Sequence, residues 1–559
     1  MSESPDFFAR HRELLERAVR ATTERASWSP YPEMPNDPSY GENGMAAGAE
    51  AFEAQLGKPF ELGQPGELVA AGEVSPYGLE LAISYPYLAP DEAVATAKTA
   101  GRAWRRATAD TRAGVAAEIL ARLNAASFEI AQAVQHTTGQ AFAMAFQAGG
   151  PHAQDRGLEA VAYAWAEQKH HPASAIWSKP QRKGDPITME KTFTPVGRGV
   201  ALVIACVTFP TWNSYPGLFA SLVTGNPVLV KPHPRAILPL AVTVRIAREV
   251  LAEAGFDPNV ALLVPEKPGS PNAGDLARHP DVRIIDYTGS TSFGDWLEQN
   301  ARQAVVYAEK AGLNTVVLDS TDNYKGLLAN LAFSLSLYSG QMCTTPQNLL
   351  IARTGMSTDQ GVKTPGQFAQ DLSAALDGLL GDPKRAAGIL GAITSTAVTE
   401  RLEQAAATGS VVHPSSAVEN PQHPEAVVRT PLVVALASTG EEVYTREWFG
   451  PISFVIETES TKESLELLRR TVGDHGALTA MVHSTDPEVL EAARDAALDV
   501  GVHLSENLTT PAVFVNQTTA FSDFHGSPAS PAATAALSDP AYVTGRFTTL
   551  QSRRHVAPV

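Results

Sequence analysis

The chain has 559 residues, of which 44% are hydrophobic and 18% charged, and its formal net charge is −17. This composition suits a protein with sizeable hydrophobic cores, and the length predicts three or four compact units or two large ones. The negative charge repels phosphate backbones, which argues against nucleic acid as a partner. Two cysteines are too few for a disulfide framework, so we expect a reducing compartment.

The N-terminal sequence MSESPDFFARHRELL lacks the basic segment and apolar core of a signal peptide. The chain also has no uncharged apolar run of the ~18 residues that a membrane-spanning helix needs. These features predict a cytoplasmic protein that does not bind a membrane.

The first part of the chain is predicted to be an N-terminal extension, residues 1–74, that lies over the main body. Residues 1–26 have the pattern of an amphipathic helix, and residues 27–44 are rich in Pro, Gly and Asn, which disfavour regular structure. From Asp91 to about Gln168 apolar residues recur at helical spacing, with a break near Gly149-Gly150-Pro151. A polar, turn-rich segment follows.

Strands and helices then alternate along the chain. Short apolar runs predict buried strands at 201–207, 227–231, 262–264, 282–287 and 315–318. Helices are predicted at 236–254 and, for a second unit, at 367–380, 393–407, 461–473 and 487–498. This alternation indicates right-handed strand–helix–strand units, so we predict an α/β fold with doubly wound parallel sheets.

Cys343 follows Ser339-Gly340-Gln341-Met342 and is one of only two cysteines. A thiolate attacks carbonyl carbons well when its pKa is lowered or a base lies near it. A free cysteine also often serves as a small buried hydrophobe, so this window alone leaves both roles open. Cys206, inside an apolar run, is interpreted as a core residue.

Two windows have the character of ligand-binding turns. The segment from Tyr287 to Gly294, which contains Thr288, Gly289 and Ser290, ends a strand and opens a helix. Backbone N–H groups can hold a phosphate there, although such turns are also common in loops. Lys231 closes a strand, at the end where dinucleotide-binding groups gather; the alternative is a solvated lysine.

Two further residues have the character of catalytic groups. Asn213 follows a predicted strand by a few residues, and its amide can stabilise an oxyanion or form an ordinary turn. Glu309 lies before a predicted strand among small or apolar neighbours. A carboxylate so placed can have a raised pKa and act as a general base; the alternative is an ion-pair partner for Lys310.

Taken in order, these windows resemble the motifs of the aldehyde dehydrogenase superfamily. The resemblance runs from about residue 75 to 516 and rests on six motifs in the family's order. The first three are Trp212-Asn213, Gly225-Asn226-x-Val228 leading to Lys231-Pro232, and Gly289-Ser290-Thr291-x-x-Gly294. The last three are Glu309 before Ala311-Gly312, Gly340-Gln341-x-Cys343, and Glu447-Trp448-Phe449-Gly450-Pro451.

The resemblance implies a role for each matched residue. Cys343 would attack an aldehyde and, after hydride transfer to a nicotinamide, carry a thioester. Asn213 and the backbone N–H of Cys343 would hold the oxyanion, and Glu309 would activate the hydrolytic water, which favours a free acid over acyl transfer to coenzyme A. No metal site is predicted. The cofactor would be held by Lys231, Thr288, Gly289, Ser290, Gly294, Glu447 and Phe449.

One departure from the family pattern concerns the cofactor. Three residues after Lys231 the family often has an acid for the ribose 2′-hydroxyl, whereas this chain has Pro234, with His233 and Arg235 beside it. Loss of a carboxylate and gain of cations would accommodate a 2′-phosphate. NADP is therefore the expected cofactor, bound also by His233 and Arg235, and NAD is the alternative.

A second departure follows Asn516, where the segment from Phe521 to Ser527 replaces the family's Pro-Phe-Gly-Gly-x-x-x-Ser-Gly element. With the N-terminal extension and Cys343-Thr344-Thr345-Pro346, it resembles the stand-alone PaaN-type aldehyde dehydrogenases of phenylacetic acid degradation. This resemblance implies a small-molecule semialdehyde from ring opening, free or as a coenzyme A thioester. Candidate cations for the thioester are Arg182, Lys183 and Arg553.

Three alternatives stay open. The substrate can be an unrelated aliphatic or aromatic aldehyde, the enzyme can form an acyl-coenzyme A, or the chain can be a catalytically silent member that binds an acyl-coenzyme A or a protein partner.

The resemblance also implies the domain organisation. Two doubly wound parallel-sheet domains are expected: a dinucleotide-binding domain of residues 75–168 and 197–308, and a catalytic domain of residues 309–515. Residues 169–196 and 516–559 would form a small oligomerisation element that makes a homodimer or homotetramer.

Overall fold

The computed structural model describes residues 5–557. Its helices are α1 Phe7–Glu24, α2 Gly44–Glu53, α3 Pro90–Trp104, α4 Ala109–Ala125, α5 Ser127–Thr138, α6 Phe142–Gly149, α7 Pro151–Gln168, α8 Pro210–Val223, α9 Leu238–Glu253, α10 Ala273–Arg278, α11 Thr291–Asn300, α12 Tyr324–Ser336, α13 Pro365–Leu380, α14 Pro383–Leu390, α15 Thr396–Ala406, α16 Glu441–Tyr444, α17 Thr461–His475, α18 Pro487–Val500 and α19 Pro540–Thr544.

The strands are β1 Glu67–Ala70, β2 Ser84–Tyr87, β3 Ser174–Lys179, β4 Ile187–Gly197, β5 Val200–Ile204, β6 Val228–Lys231, β7 Ala261–Leu263, β8 Val282–Gly289, β9 Val305–Lys310, β10 Thr315–Leu318, β11 Ser320–Thr321, β12 Asn348–Ala352, β13 Met356–Thr358, β14 Gly361–Lys363, β15 Ser410–His413, β16 Leu432–Ala437, β17 Ile452–Thr458, β18 Thr479–His483, β19 His503–Glu506 and β20 Phe547–Val556. Within residues 5–557, no helix has both the length and the apolar character needed to cross a membrane.

A five-stranded parallel sheet with the order β7-β6-β5-β8-β9 forms the first core. Side chains alternate between its two faces, as strand geometry requires. Ala201 and Val203 of β5 pack in the cluster that includes α8 and α9, while Leu202 and Ile204 pack in the cluster that includes α3 and α11. Helices therefore cover both faces, which confirms the doubly wound α/β prediction.

A seven-stranded sheet with the order β15-β16-β17-β12-β10-β18-β19 forms the second core, and only the edge strand β15 is antiparallel within it. Val316 and Leu318 of β10 pack with α12 and α13, and Val317 packs with α17 and α18 on the other face. This sheet is doubly wound as well.

A three-stranded antiparallel sheet, β20-β4-β3, lies apart from both cores. Its exposed apolar side chains include Ile176, Trp177 and Leu550. Of the C-terminal part of the predicted oligomerisation element, residues 547–556 join this sheet. Residues 516–539 instead pack beside β9, where the backbone N–H of Lys310 donates to the carbonyl of Ala532.

The N-terminal extension is part of the first unit. Helix α1 packs on α4 and α7, and α2 packs on α5. The α1–α4 contact is close: a Cβ on Gly114 would lie 2.4 Å from the backbone nitrogen of Phe8. The predicted N-terminal helix agrees with α1 over the described residues, while residues 1–4 of that prediction lie outside them.

Two local predictions are incomplete or need correction. Glu309 precedes β10 as expected, but it also lies in a strand that was not predicted, β9, because Thr288 and Gly289 of β8 pair with Glu309 and Lys310. The expected domain boundary between residues 308 and 309 therefore falls inside a strand of the first sheet. Asn213 lies in α8 rather than in a turn, although Pro216 stands within that helix.

A buried ion pair joins the C-terminal part to the first sheet. The fully buried Arg546 donates from Nη1 to Oδ2 of Asp286 at 2.7 Å and to the hydroxyl of Ser221 at 2.8 Å. Its guanidinium lies between the rings of Tyr307 and Tyr542, 4.3 and 4.2 Å from their centroids. The hydroxyl of Tyr542 also donates to Asp286 at 2.8 Å.

We expect Asp286→Ala to lower the free energy of unfolding by about 3–5 kcal/mol, because it leaves the Arg546 charge buried without a partner. Equilibrium denaturation in urea measures this. The matched control is Asp281→Ala, which removes the exposed pair with Lys98 and should change stability by less than about 1 kcal/mol. Equal effects of the two substitutions would contradict the assignment.

Candidate active site

The candidate site lies where the two large sheets meet. Lys231, Gly289 and Glu309 stand at or near the carboxyl ends of β6, β8 and β9, which share one edge of the parallel sheet. Cys343 and Glu447 precede β12 and β17, at the amino ends of strands in the other sheet. One edge therefore supplies a lysine and a carboxylate, and the other supplies the thiol.

The loop that presents Cys343 has an unusual backbone. Tyr338, Ser339 and Gly340 have φ angles of 54°, 48° and 61°, in the left-handed region that only glycine adopts easily. A Cβ at Gly340 would also lie 2.4 Å from the carbonyl oxygen of Gly450. After this turn, Asn314 fixes the chain by donating its side-chain amide to the carbonyl of Cys343 at 2.8 Å.

The thiol of Cys343 lies among catalytic-type groups. Burial and the negative charge of Glu309 hold its pKa well above the ordinary value. The sulfur, an imidazole nitrogen of His525 and a carboxylate oxygen of Glu309 lie within 4.8 Å of one another. A raised pKa keeps the sulfur protonated until a neighbouring group takes its proton or stabilises its charge.

Glu309 is buried and contacts two polar side chains. The side-chain amide of Asn213 donates to Oε2 at 2.8 Å, and Nε2 of His525 lies 3.1 Å from Oε1. Burial alone would raise the pKa of Glu309, but His525, with contributions from Cys343 and Asn213, outweighs burial and lowers it. The sequence-based expectation of a raised pKa is therefore wrong, since it could not include a histidine from a distant segment.

Lys310 is not the partner of Glu309. Adjacent residues of a strand point to opposite faces, and Nζ of Lys310 contacts Asp295 and Glu298 of α11, each at 2.9 Å. The alternative interpretation of Glu309 as the partner of Lys310 is therefore excluded.

His525 is the site residue that sequence reasoning missed. Its side chain is only 3% exposed, and Nε2 lies 3.9 Å from Sγ of Cys343. Its ring packs edge-on against Trp212, with 4.8 Å between the centroids. The only sequence signal was the segment from Phe521 to Ser527, which departs from the family pattern; a single histidine in a loop does not reveal which distant residue it meets.

Cys206 is buried, as expected, but it also contacts the site. Its thiol donates to Oδ1 of Asn213 at a sulfur–oxygen distance of 3.6 Å. Burial raises the pKa of Cys206 to about 11, so this sulfur stays a neutral donor. It fixes the amide that Glu309 also contacts.

A dinucleotide fits the groups on the first sheet. Ser290 is the N-cap of α11, directly after Thr288 and Gly289 at the end of β8. A helix N-terminus attracts phosphate oxygens. Gly294 allows close packing there, because a Cβ would lie 2.6 Å from Cδ of Lys310.

Lys231 has a carboxylate partner that sequence reasoning also missed. Its Nζ lies 2.7 Å from Oε2 of Glu266, which follows the neighbouring strand β7. The residue three positions after Lys231 is Pro234, so no acid is visible near the lysine along the chain. The acid comes from the next strand instead.

His233 and Arg235 do not offer the free cations that were expected for a 2′-phosphate. Burial, reinforced by the charges of Arg235 and Lys231, lowers the pKa of His233 to about 3, so it is neutral. Arg235 donates to the carbonyl of Thr394, and burial lowers its pKa as well.

Glu447 and Phe449 line one small cavity together with Cys343 and Asn314. Burial raises the pKa of Glu447 to about 7, although Arg401 opposes this rise. The same arginine donates to the carbonyl of Phe449 at 2.9 Å. A carboxylate within reach of a ligand beside the thiol suits the hydroxyl groups of a ribose.

Comparison with known proteins gives a consistent result. The model of the aldehyde dehydrogenase family matches residues 88–516. A crystal structure of an NAD-dependent aldehyde dehydrogenase from Burkholderia multivorans is 55% identical, with a TM-score of 0.97 and coverage of 100% of both chains. The 1-pyrroline-5-carboxylate dehydrogenase of Thermus thermophilus shares the fold, at 18% identity and a TM-score of 0.71, over 95% of this chain and 100% of that one.

Among curated proteins, aldehyde dehydrogenase LUC3 from a Fusarium species is 26% identical over 264 residues, which is 47% of this chain and 51% of LUC3. The chain thus spans about half the length of this curated relative.

We expect Gly340→Ala to lower the free energy of unfolding by at least about 1–2 kcal/mol, the cost of a left-handed residue with a Cβ, and to slow alkylation of Cys343 by displacing its loop. Denaturation and iodoacetamide labelling measure the two effects. Gly366→Ala is the control, because its Cβ would meet nothing within 4 Å. If both variants behave alike, the left-handed turn does not position the thiol.

Proposed function

The chain belongs to the aldehyde dehydrogenase family, and from that premise we propose that it oxidises an aldehyde to a carboxylic acid with NAD as the hydride acceptor. The observation that carries this proposal is the contact of Asn213 with Glu309 beside the thiol of Cys343. These groups supply a nucleophile, an oxyanion donor and a base in one place.

Cys343 is the proposed nucleophile. Its sulfur attacks the carbonyl carbon, the carbonyl π electrons move to oxygen, and a thiohemiacetal forms. NAD, when bound, would accept the hydride whose loss converts the thiohemiacetal into a thioester. Cys343 then holds the acyl group until water attacks it.

Asn213 is the proposed oxyanion donor, together with the backbone N–H of Cys343. A side-chain amide has two N–H donors. One of them is accepted by Glu309, so the other can point towards the carbonyl oxygen. The contact with Cys206 fixes the plane of this amide.

Glu309 is the proposed base for hydrolysis. Because its pKa is lowered, it is ionised at neutral pH and ready to accept a proton from water. A carboxylate already buried beside the thiol favours a free acid over acyl transfer to coenzyme A. The same arrangement of groups also disfavours a catalytically silent protein.

NAD is the proposed cofactor rather than NADP. Glu266 places a carboxylate beside Lys231, where it can accept hydrogen bonds from ribose hydroxyls and would repel a 2′-phosphate. His233 is neutral and Arg235 is engaged by Thr394. The solved relative from Burkholderia multivorans is described as NAD-dependent, which supports the same choice.

We expect Glu266→Gln to shift the ratio of NADP to NAD affinity by about tenfold towards NADP, since one repulsive charge near the phosphate is removed. Titration of each cofactor, followed by protein fluorescence, measures the two dissociation constants. Glu67→Gln, at an exposed carboxylate, is the control and should leave the ratio unchanged. An unaltered ratio in Glu266→Gln would place the discriminating group elsewhere.

For the substrate we propose a semialdehyde produced by opening of an aromatic-derived ring, as in the PaaN-type branch. Phe209, Trp212, Met144 and Met342 pack together with Tyr338 beside the nucleophile loop, which supports an apolar carbon chain next to the aldehyde. Coenzyme A recognition has less support, because the candidate cations Arg182, Lys183 and Arg553 lie on or beside the separate three-stranded sheet.

We also propose that the protein forms a homodimer or homotetramer through this three-stranded sheet. Ile176 and Leu550 are 57% and 56% exposed, and apolar side chains grouped on one sheet indicate a contact surface.

The decisive test measures the ultraviolet absorbance of reduced nicotinamide with a panel of aldehydes, free and as coenzyme A thioesters. Wild-type protein should reduce NAD with at least one of them. Cys343→Ala should fall to background, because no thioester can form, whereas Cys206→Ala, which keeps the nucleophile, should retain measurable activity. Activity retained by Cys343→Ala would overturn the proposed chemistry, and turnover stimulated by coenzyme A would indicate acyl transfer instead of hydrolysis.

A further inference from the structure

His525 lies between the two charged or chargeable groups of the proposed reaction. Its Nε2 is 3.1 Å from a carboxylate oxygen of Glu309 and 3.9 Å from the sulfur of Cys343. Its Nδ1 is 3.3 Å from the hydroxyl of Thr518, which can accept a second N–H. Both ring nitrogens thus have a polar partner.

The imidazole is fixed in this position by backbone and packing contacts. The backbone N–H of His525 donates to the carbonyl of Leu537 at 3.1 Å, and the reverse bond measures 2.8 Å. The ring also rests against Trp212. The ring nitrogen Nε2 is therefore held near the sulfur before any substrate arrives.

The thiol of Cys343 needs a stabilising neighbour if it is to ionise. It is buried, and Glu309 opposes its ionisation. A thiolate in these surroundings forms readily only if a cation lies beside it. Within the residues that the structure describes, His525 is the basic side chain in hydrogen-bonding contact with this sulfur.

We propose that His525 is a catalytic residue that stabilises the thiolate of Cys343 by presenting its Nε2–H to the sulfur once Glu309 has taken the thiol proton. The S–H bond breaks and its proton forms an O–H bond on Glu309, so the net charge of the three groups is unchanged. The Nε2–H of His525, released from the neutralised carboxyl, donates to the thiolate. The sulfur's electron pair then forms the S–C bond while the carbonyl π electrons move to oxygen.

This inference deepens the proposed function and rests on it, because it assigns the activation of the same nucleophile. Glu309 afterwards releases its proton to solvent and can accept another from water.

Other groups near the imidazole bear on its charge. Arg156 lies over the ring of Trp212, 5.2 Å from the centroid, and donates to the carbonyls of Asp523 and Leu537. The cavity that His525 and Glu309 line also includes Asp286, Tyr287, Tyr307 and Tyr542. Of these, Asp286 is neutralised by Arg546.

The test is the rate of Cys343 alkylation by iodoacetamide between about pH 5 and about pH 9, a range that brackets the titration of an ordinary thiol. The reaction contains no aldehyde or cofactor, and every protein also carries Cys206→Ala, so that Cys343 is the one thiol that iodoacetamide can label. The parent protein should react measurably at neutral pH, even though burial and the charge of Glu309 raise the pKa of this thiol. His525→Asn and His525→Gln should react about tenfold more slowly at neutral pH, and their profiles should move to higher pH.

His503→Gln is the matched control. His503 contacts the carbonyl of Gly526 through Nε2 at 2.8 Å, so this substitution loosens the same segment without removing the imidazole near the sulfur. Its alkylation rate should be close to that of the parent, and thermal unfolding checks that every variant is folded.

A parent protein that shows no alkylation at neutral pH would overturn the proposal without any His525 variant. So would folded His525 variants that react as fast as the parent. Alkylation needs no aldehyde, so it tests His525 independently of the substrate. If the proposed substrate or function is wrong, the protein reduces no NAD with the aldehydes tested, but the difference in alkylation rate between the parent and the His525 variants remains.

Discussion

The buried carboxylate of Glu309 is the constraint on which the rest of the site depends. It stands at the end of β9, where α8, the Cys343 loop and the segment after Asn516 converge. A buried negative charge is stable only with donors around it, so the amide of Asn213 and the imidazole of His525 are both held against it. The thiol of Cys343 then lies within the field of that charge, which keeps it neutral until a proton moves.

The fold was largely predictable because its strands are buried on both faces. Such strands are almost wholly apolar, and the runs that predicted β5, β6, β8 and β10 needed no other information. Strand β9 was missed since it ends in Glu309 and Lys310, two charges that look like a surface segment when their partners are unknown. Helix α8 was missed because Pro210, Pro216 and Gly217 argue against a helix, although burial of its other side chains overrides that preference.

The site residues that belong to short, recognisable sequence motifs could be predicted. Cys343, Asn213 and Glu309 each stand in such a motif, and the structure brings them together. Glu266 and His525 could not be found this way, because Glu266 follows another strand and His525 is 182 residues from Cys343. The expected preference for NADP lacks support for a related reason. The sequence suggested that His233 and Arg235 were two free cations, but burial makes His233 neutral and Arg235 donates to a backbone carbonyl.

The ion pair between Arg546 and Asp286 spans 260 residues, and the contact of Asn213 with Glu309 spans 96. Loops of this length close slowly, and proteins dominated by such contacts fold slowly. During refolding, helices and local hairpins therefore form well before the two sheets and the C-terminal segment meet. Partly folded chains thus pass through a period in which the thiol exists without its carboxylate, amide and imidazole neighbours, and catalytic competence becomes the last property that the chain acquires.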